Sequence, residues 1–285
     1  MPDKYSALWL SHSSIRDFQN CPRAYFLNNI YRDPKTNRKI QLVSPPLALG
    51  SAVHQVIEHL SDIPVEKRFD TSLLDLFDSA WRQFSGKVGG FSDKATEERY
   101  KERGRAMLRN VMQSPGPLKA KAVKIKGDLP QYWFSEAEEM ILCGKIDWLE
   151  YLEESDSVHI IDFKTGKNND DGSLQLPIYV LLVTELQNRP VAKASYWYLE
   201  GDGGLVEQQL PDKTEAYEAV MTIAKQIKLA RKLERFKCPK GELGCRYCQP
   251  LEKIVNGEAE YVGQGEYGKD CYILPTQQQP EVAIH

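Results

Sequence analysis

Apolar residues recur along the chain with two periods, and the change of period divides it. Early on the spacing is helical. Ile15, Phe18, Tyr25, Phe26 and Ile30 mark a helix over 11–31 that Pro22 interrupts. Val53, Val56, Ile57 and Leu60 share one face of a second helix over 47–60. Residues 71–84 and 94–113 give two more amphipathic helices, and Pro115 and Pro117 end the run. The period then shortens. Residues 131–151 and 157–163 are rich in β-branched and aromatic side chains and flank the acidic turn EESDS, which predicts strands in a hairpin. A helix follows over 173–188, with Ser173 as its N-cap and Pro177 in its first turn. Strands at 192–199 and 205–210 flank a turn at 201–204, and a long amphipathic helix covers 214–236. The pattern predicts one mixed α/β domain over 1–275 with a helical N-terminal part, and a flexible tail over 276–285.

Composition narrows the class. Of 285 residues, 41% are hydrophobic and 27% charged, enough to bury a sizeable core. No run of about 18 apolar residues predicts a membrane span. The first residues, MPDKYSALWLSHSS, lack the pattern of a secretion signal, so a cytoplasmic protein is expected. A net charge of −3 argues against a uniformly basic nucleic-acid coat but leaves room for a local basic groove. Two stretches are locally basic: KAKAVKIK at 119–126, and the last long helix with Lys225, Lys228, Arg231 and Lys232. No G-x4-GKS/T motif occurs, so a motor would be a separate chain.

The stretch VHIIDFK carries the first candidate chemistry. On a strand, Asp162 and Lys164 project to the same side. GKIDW presents Asp147, and a hairpin would set it beside Asp162. Paired carboxylates repel, and a divalent cation such as magnesium relieves that cost. Lys164 is then placed to act on an attacking water or on phosphate charge. His54 follows Gly50 by one helical turn, and the missing side chain at Gly50 would let another backbone approach. Gln175 and Tyr179 share a helix face.

The ordered set Gly50-x3-His54, Gly144-Lys145-Ile146-Asp147, Asp162-Phe163-Lys164 and Gln175-x3-Tyr179 resembles the PD-(D/E)XK nuclease superfamily, in particular its RecB-like branch. Ile161 replaces the proline of the superfamily's name. The resemblance implies a restriction-endonuclease-like mixed sheet flanked by helices, with the nuclease core at about 47–235. It implies metal ligation by His54, Asp147, Asp162 and the Phe163 carbonyl, with Mg²⁺ or Mn²⁺. Lys164 would be the catalytic lysine beside Asp162, and Gln175 and Tyr179 would position nucleic acid.

Six cysteines supply a second line. Cys238-x6-Cys245-x2-Cys248 is a metal-binding spacing. With Cys21 in NCPRAYF it resembles iron–sulfur nucleases of the same branch, such as AddB-type subunits and CRISPR adaptation nucleases, and implies a [4Fe–4S] cluster. The branch more often places its last ligand where Ile254 stands here; Cys238 is the chosen replacement and Cys271 the alternative. Zinc is the alternative that the spacing of four cysteines leaves open. Cys143 reads as a buried core thiol. Tying Cys21 to Cys238 closes a loop of roughly 217 residues, on the order of 5 kcal/mol by the loop-closure estimate.

Together these features lead to the expectation of a metal-dependent DNA nuclease, an exonuclease on single-stranded or frayed ends, in DNA repair, recombination or CRISPR-type processing. It would work with or without a helicase or integrase partner chain. The alternatives are a non-catalytic DNA-end-binding module and a partner-dependent end-trimming subunit.

Overall fold

Local chemistry sets the early boundaries in the computed structural model, which describes residues 3–127, 129–166, 173–201 and 204–275. The tail expected over 276–285 lies outside them. After β1 (Leu8–Leu10), Ser11 and Ser14 form a reciprocal capping box that starts α1 (His12–Asn20). Cys21 is extended, with φ −168°, and Pro22 opens α2 (Pro22–Tyr25), which runs into a π-helical turn. The break expected at Pro22 therefore puts Cys21 at a corner. Then come β2 (Ile40–Leu42), α3 (Pro45–His59), α4 (Leu73–Trp81) and α5 (Lys94–Gln113), whose cap Asp93 accepts from Thr96 N at 2.7 Å.

The expected strand region 131–151 divides into β3 (Gln131–Ser135), β4 (Met140–Cys143) and β5 (Trp148–Leu152). Gly144 to Asp147 thus precede β5 instead of ending a strand. The rest of the chain forms β6 (Ser157–Lys164), α6 (Gln175–Leu186), β7 (Val191–Tyr198), β8 (Gly204–Gln208), α7 (Lys213–Lys232), α8 (Gln249–Val255), β9 (Glu260–Gln264) and β10 (Asp270–Ile273). Two boundaries differ from expectation. The cap position of α6 is Leu174, although Ser173 Oγ still accepts from Gln175 N at 3.2 Å. Helix α7 stops before the expected 236, where Glu234 turns to a left-handed φ of 50°.

The central sheet has the order β5-β6-β7-β8. β6 is antiparallel to β5 and parallel to β7. A parallel pair needs a crossover, and α6 supplies it. Two further three-stranded sheets, β1-β4-β3 and β2-β10-β9, join distant parts of the chain.

Alternation along β6 divides the main core. Val158 and Ile160 pack with Ile178, Leu182, Val220 and Ile227 of α6 and α7. Ile161 and Phe163 pack with Leu49, Phe77 and Met107 of α3, α4 and α5. The sheet is therefore covered on both sides, and the end of β6 lies between α3 and α6. A third, smaller core holds Cys21, Ala24, Leu27, Ile40, Cys248, Leu251 and Ile254. The expected mixed α/β class and the joining of N- and C-terminal regions at cysteines are both present. No helix among the described residues is long and apolar enough to cross a membrane.

Candidate active site and cysteine cluster

The β5–β6 hairpin pairs Trp148 with Ile161, so Asp147 and Asp162 meet at its open end. Asp147 Oδ2 accepts the Phe163 backbone N–H at 2.9 Å and lies 3.4 Å from His54 Nδ1. The His54 nitrogen is also 3.6 Å from Glu58, one turn along α3. Lys145 makes a further ion pair with Glu58. Ligand atoms of His54, Glu58 and Asp147 all lie within 4.8 Å of one another.

Asp162 projects toward the α6 side. Gln175 Nε2 donates to Asp162 Oδ1 at 2.7 Å, and Lys164 Nζ donates to Gln175 Oε1 at 2.6 Å. Lys164 Nζ also forms an ion pair with the buried Asp162 Oδ2 at 2.9 Å. Lys164 sits over the Tyr196 ring at 4.6 Å. The acid and lysine expected to share a side do so.

The electrostatics follow from burial and charge. Burial works against a charged His54, but the Asp147 and Glu58 carboxylates outweigh it and hold the imidazole well above its ordinary pKa. Asp147 is buried too, yet the His54 charge and the Phe163 N–H keep its pKa lowered. Asp162 is pushed up to about 7 by burial and by Asp147, with Lys164 opposing.

The residues suit a divalent cation. Carboxylates with one imidazole favour Mg²⁺ or Mn²⁺ over softer metals, and the Asp162 carboxylate, paired with Lys164, adds an oxygen donor nearby. The set differs from the expected one in two respects. Glu58 joins it, and its one sequence signal is the i, i+4 spacing from His54. Asp162 stands apart from the three-residue group, because alternation on β6 turns it toward Gln175 while His54 and Glu58 approach from α3. The group that meets Gly50 is a side chain, not a backbone: a Cβ there would touch Thr165 Oγ1 at 3.4 Å.

Gln175 and Tyr179, expected to position nucleic acid, lie side by side next to Asp162. Both are buried, at 9% and 7% exposure, and Gln175 Nε2 donates to Tyr179 Oη at 3.2 Å. The Tyr179 ring belongs to the core beneath the site, and burial lifts its hydroxyl pKa well above the ordinary value. On α7, Lys225, Arg231 and Lys232 are exposed, whereas Lys228 is engaged by Glu138 at 2.9 Å.

The cysteines form a second constellation. The Sγ atoms of Cys21, Cys238, Cys245 and Cys248 lie within 4.8 Å of one another. Cys271 is elsewhere, packed behind Gly265, so Cys238 completes the four. Cys143 is buried and donates to Leu10 O at 3.3 Å, as a core thiol does. Backbone N–H groups of Lys240 and Cys245 donate to Cys238 Sγ and Cys248 Sγ at 3.4 and 3.2 Å. Burial pushes Cys21 up to about 12; at Cys245 the Cys248 and Tyr247 N–H groups overcome burial and lower it to about 7. Arg23 of α2 clamps Glu252 of α8 with two hydrogen bonds, at 2.5 and 3.0 Å, next to the cluster. Four converging thiols with N–H donors suit a tetrahedral metal or an iron–sulfur cluster.

One other arrangement looks catalytic. His159 bonds Glu150 at 2.8 Å and Ser195 Oγ at 2.7 Å. Ser195 is fully buried, so no substrate reaches its hydroxyl, and the trio acts as a polar tie across β5, β6 and β7.

A carboxylate pair at a hairpin end with a neighbouring lysine suits metal-assisted chemistry on a phosphate. The family comparison agrees: the chain belongs to the PD-(D/E)XK nuclease superfamily, whose model matches residues 9–251. No curated protein matches the chain.

Proposed function

We propose that this protein is a Mg²⁺- or Mn²⁺-dependent deoxyribonuclease that acts on single-stranded or frayed DNA ends and carries a structural [4Fe–4S] cluster. The observation that carries the reading is the meeting of Asp147, Asp162 and Lys164 at one strand end, with His54 and Glu58 facing them from α3. His54, Glu58, Asp147 and Asp162 would hold the cation, with the Phe163 carbonyl beside them. When bound, the ion supplies positive charge to the phosphate oxygens. Lys164 holds its ammonium beside Asp162, braced by Gln175 and Tyr196, where charge develops on the phosphate. Gln175 keeps Asp162 and Lys164 in register through one amide. The role of Gln175 and Tyr179 toward DNA is therefore indirect: they hold the groups that meet the strand.

A cleft of about 690 Å³ opens over His54, Glu58, Lys145 and Thr165, and gives a strand access to these groups. The exposed Lys225, Arg231 and Lys232 offer sequence-independent phosphate contacts. The intact acids and lysine favour catalysis over a purely end-binding module. The cluster reading rests on four cysteines in one early and three late positions, all brought together. A helicase or integrase chain as partner belongs to the same proposal, as does a role in repair or CRISPR-type processing in the cytoplasm. Incubating end-labelled single- and double-stranded DNA and RNA with anaerobically prepared protein, with Mg²⁺, Mn²⁺ or chelator, tests it. Divalent-ion-dependent shortening of single-stranded DNA is expected; intact DNA under every condition would refute the reading.

A further inference from the structure

A second pocket, of about 240 Å³, adjoins the metal cleft, and the two share Leu47, Ser51, Gln83 and Glu266 as walls. It lies between the start of α3, the turn at 82–89 and the β9–β10 hairpin. That hairpin falls beyond the residues the family model matches. From this pocket we infer a base-binding subsite that receives one unpaired nucleobase of the strand being cut, an assignment that rests on the nuclease reading above.

The lining chemistry selects the occupant. No lysine or arginine lines the pocket among the described residues, and its one charged group is Glu266. A phosphate would find no positive partner there. Leu47 and Val88 are large apolar side chains left 44% and 40% exposed, and Phe84 stands between them in sequence and beside them in space. Apolar walls of this kind suit the faces of a planar ring. The amides of Gln41 and Gln83 have no hydrogen-bond partner among the described residues, and amides match the donor and acceptor edges of a base. Volume points the same way: pockets for drug-sized ligands span about 300–1,000 Å³, and this one is smaller.

The walls are fixed in place. Gly90, at φ 84°, lies so close to Ser44 that a Cβ would come within 2.6 Å of its Cα, which locks the turn against the start of α3. Lys87 binds Glu260 at 2.7 Å and ties the same turn to β9. β10 runs parallel to β2, the strand that leads into α3 and His54. At the hairpin tip Tyr267 is 83% exposed in a left-handed conformation, φ 56° and ψ 24°, which bulky residues adopt at a steric cost. Its phenol lies within electrostatic reach of Lys145. It is placed to stack on the neighbouring base.

The test is fluorescence anisotropy with single-stranded oligonucleotides, blocked at one end, in which one abasic nucleotide is stepped along the strand. Ca²⁺ replaces Mg²⁺ during binding. The wild-type protein should lose affinity about 5- to 150-fold at one position and little elsewhere. The Leu47→Ala/Gln83→Ala protein should bind the intact strand more weakly, yet match the wild type on the strand abasic at that position. No position-specific penalty, or an equal penalty in both proteins, overturns the subsite while divalent-ion-dependent cleavage by the wild type leaves the nuclease reading standing. A wild-type protein that neither binds nor cuts any strand overturns both.

Discussion

Gln175 donates its side-chain N–H to the Asp162 carboxylate at 2.7 Å, from the first residue of α6 to the third-last residue of β6. The opposite end of the same amide accepts from Lys164 at 2.6 Å. One neutral side chain thus bridges the acid and the lysine, which also meet directly, Lys164 Nζ lying 2.9 Å from Asp162 Oδ2.

Removing that bridge should affect both stability and rate. Gln175→Ala leaves the buried Asp162 Oδ1 without its hydrogen-bond partner, which costs about 1–3 kcal/mol, while Lys164 keeps its ion pair with Asp162. Displacement of Lys164 by the order of an ångström should slow single-turnover cleavage about 100-fold. Thermal melting and single-turnover kinetics read the two effects separately. A variant with wild-type rate and melting temperature would mean that the amide positions nothing.

Tyr179 gives a sharper separation between core and substrate roles. Tyr179→Ala empties a buried ring position and should destabilise by about 3–5 kcal/mol. Tyr179→Phe loses only the hydroxyl bonded to Gln175 and should cost about 1 kcal/mol. Single-strand affinity per folded molecule should stay unchanged in both. A fall in affinity for Tyr179→Phe at unchanged stability would return this residue to the substrate surface.

The cysteines predict which thiol matters. Protein prepared without oxygen should contain iron and acid-labile sulfide and absorb visible light. Cys238→Ser should lose the metal and a large part of the stability, since the cluster ties α2 to α8. Cys271→Ser should keep the metal, because that thiol lies outside the cluster. Stoichiometric zinc without iron, found by elemental analysis, would replace the iron–sulfur assignment with a zinc site.

Much of this organisation is legible in the chain itself. Residues 94–113 are helical as their pattern predicts, because a long amphipathic segment with Asp93 as cap needs little outside help. Pro22 announces the break that turns Cys21 toward the late cysteines. The DFK and GKID motifs meet because a hairpin is a local structure. Other features depend on distant partners. β1 pairs with β4, and β2 with β10, through strands of three or four residues that carry almost no pattern of their own. Glu58 looks like any polar position of an amphipathic helix until Asp147 is folded against it. The buried state of Gln175 and Tyr179 is hidden for a similar reason. Helix α6 is covered by the sheet on one side and α7 on another, so an i, i+4 pair there does not face solvent.

The most direct measurement is cleavage of an end-labelled single strand by wild-type and Asp162→Asn protein in Mn²⁺. Asparagine keeps the oxygen that Gln175 bonds and gives up the ion pair with Lys164, so some stability is lost while the cysteine-bound metal, far from this change, should be preserved. The wild type should shorten the strand, and the variant should leave it as intact as wild-type protein with chelator does. Cleavage by Asp162→Asn at the wild-type rate would contradict the assignment of the active site to the end of β6.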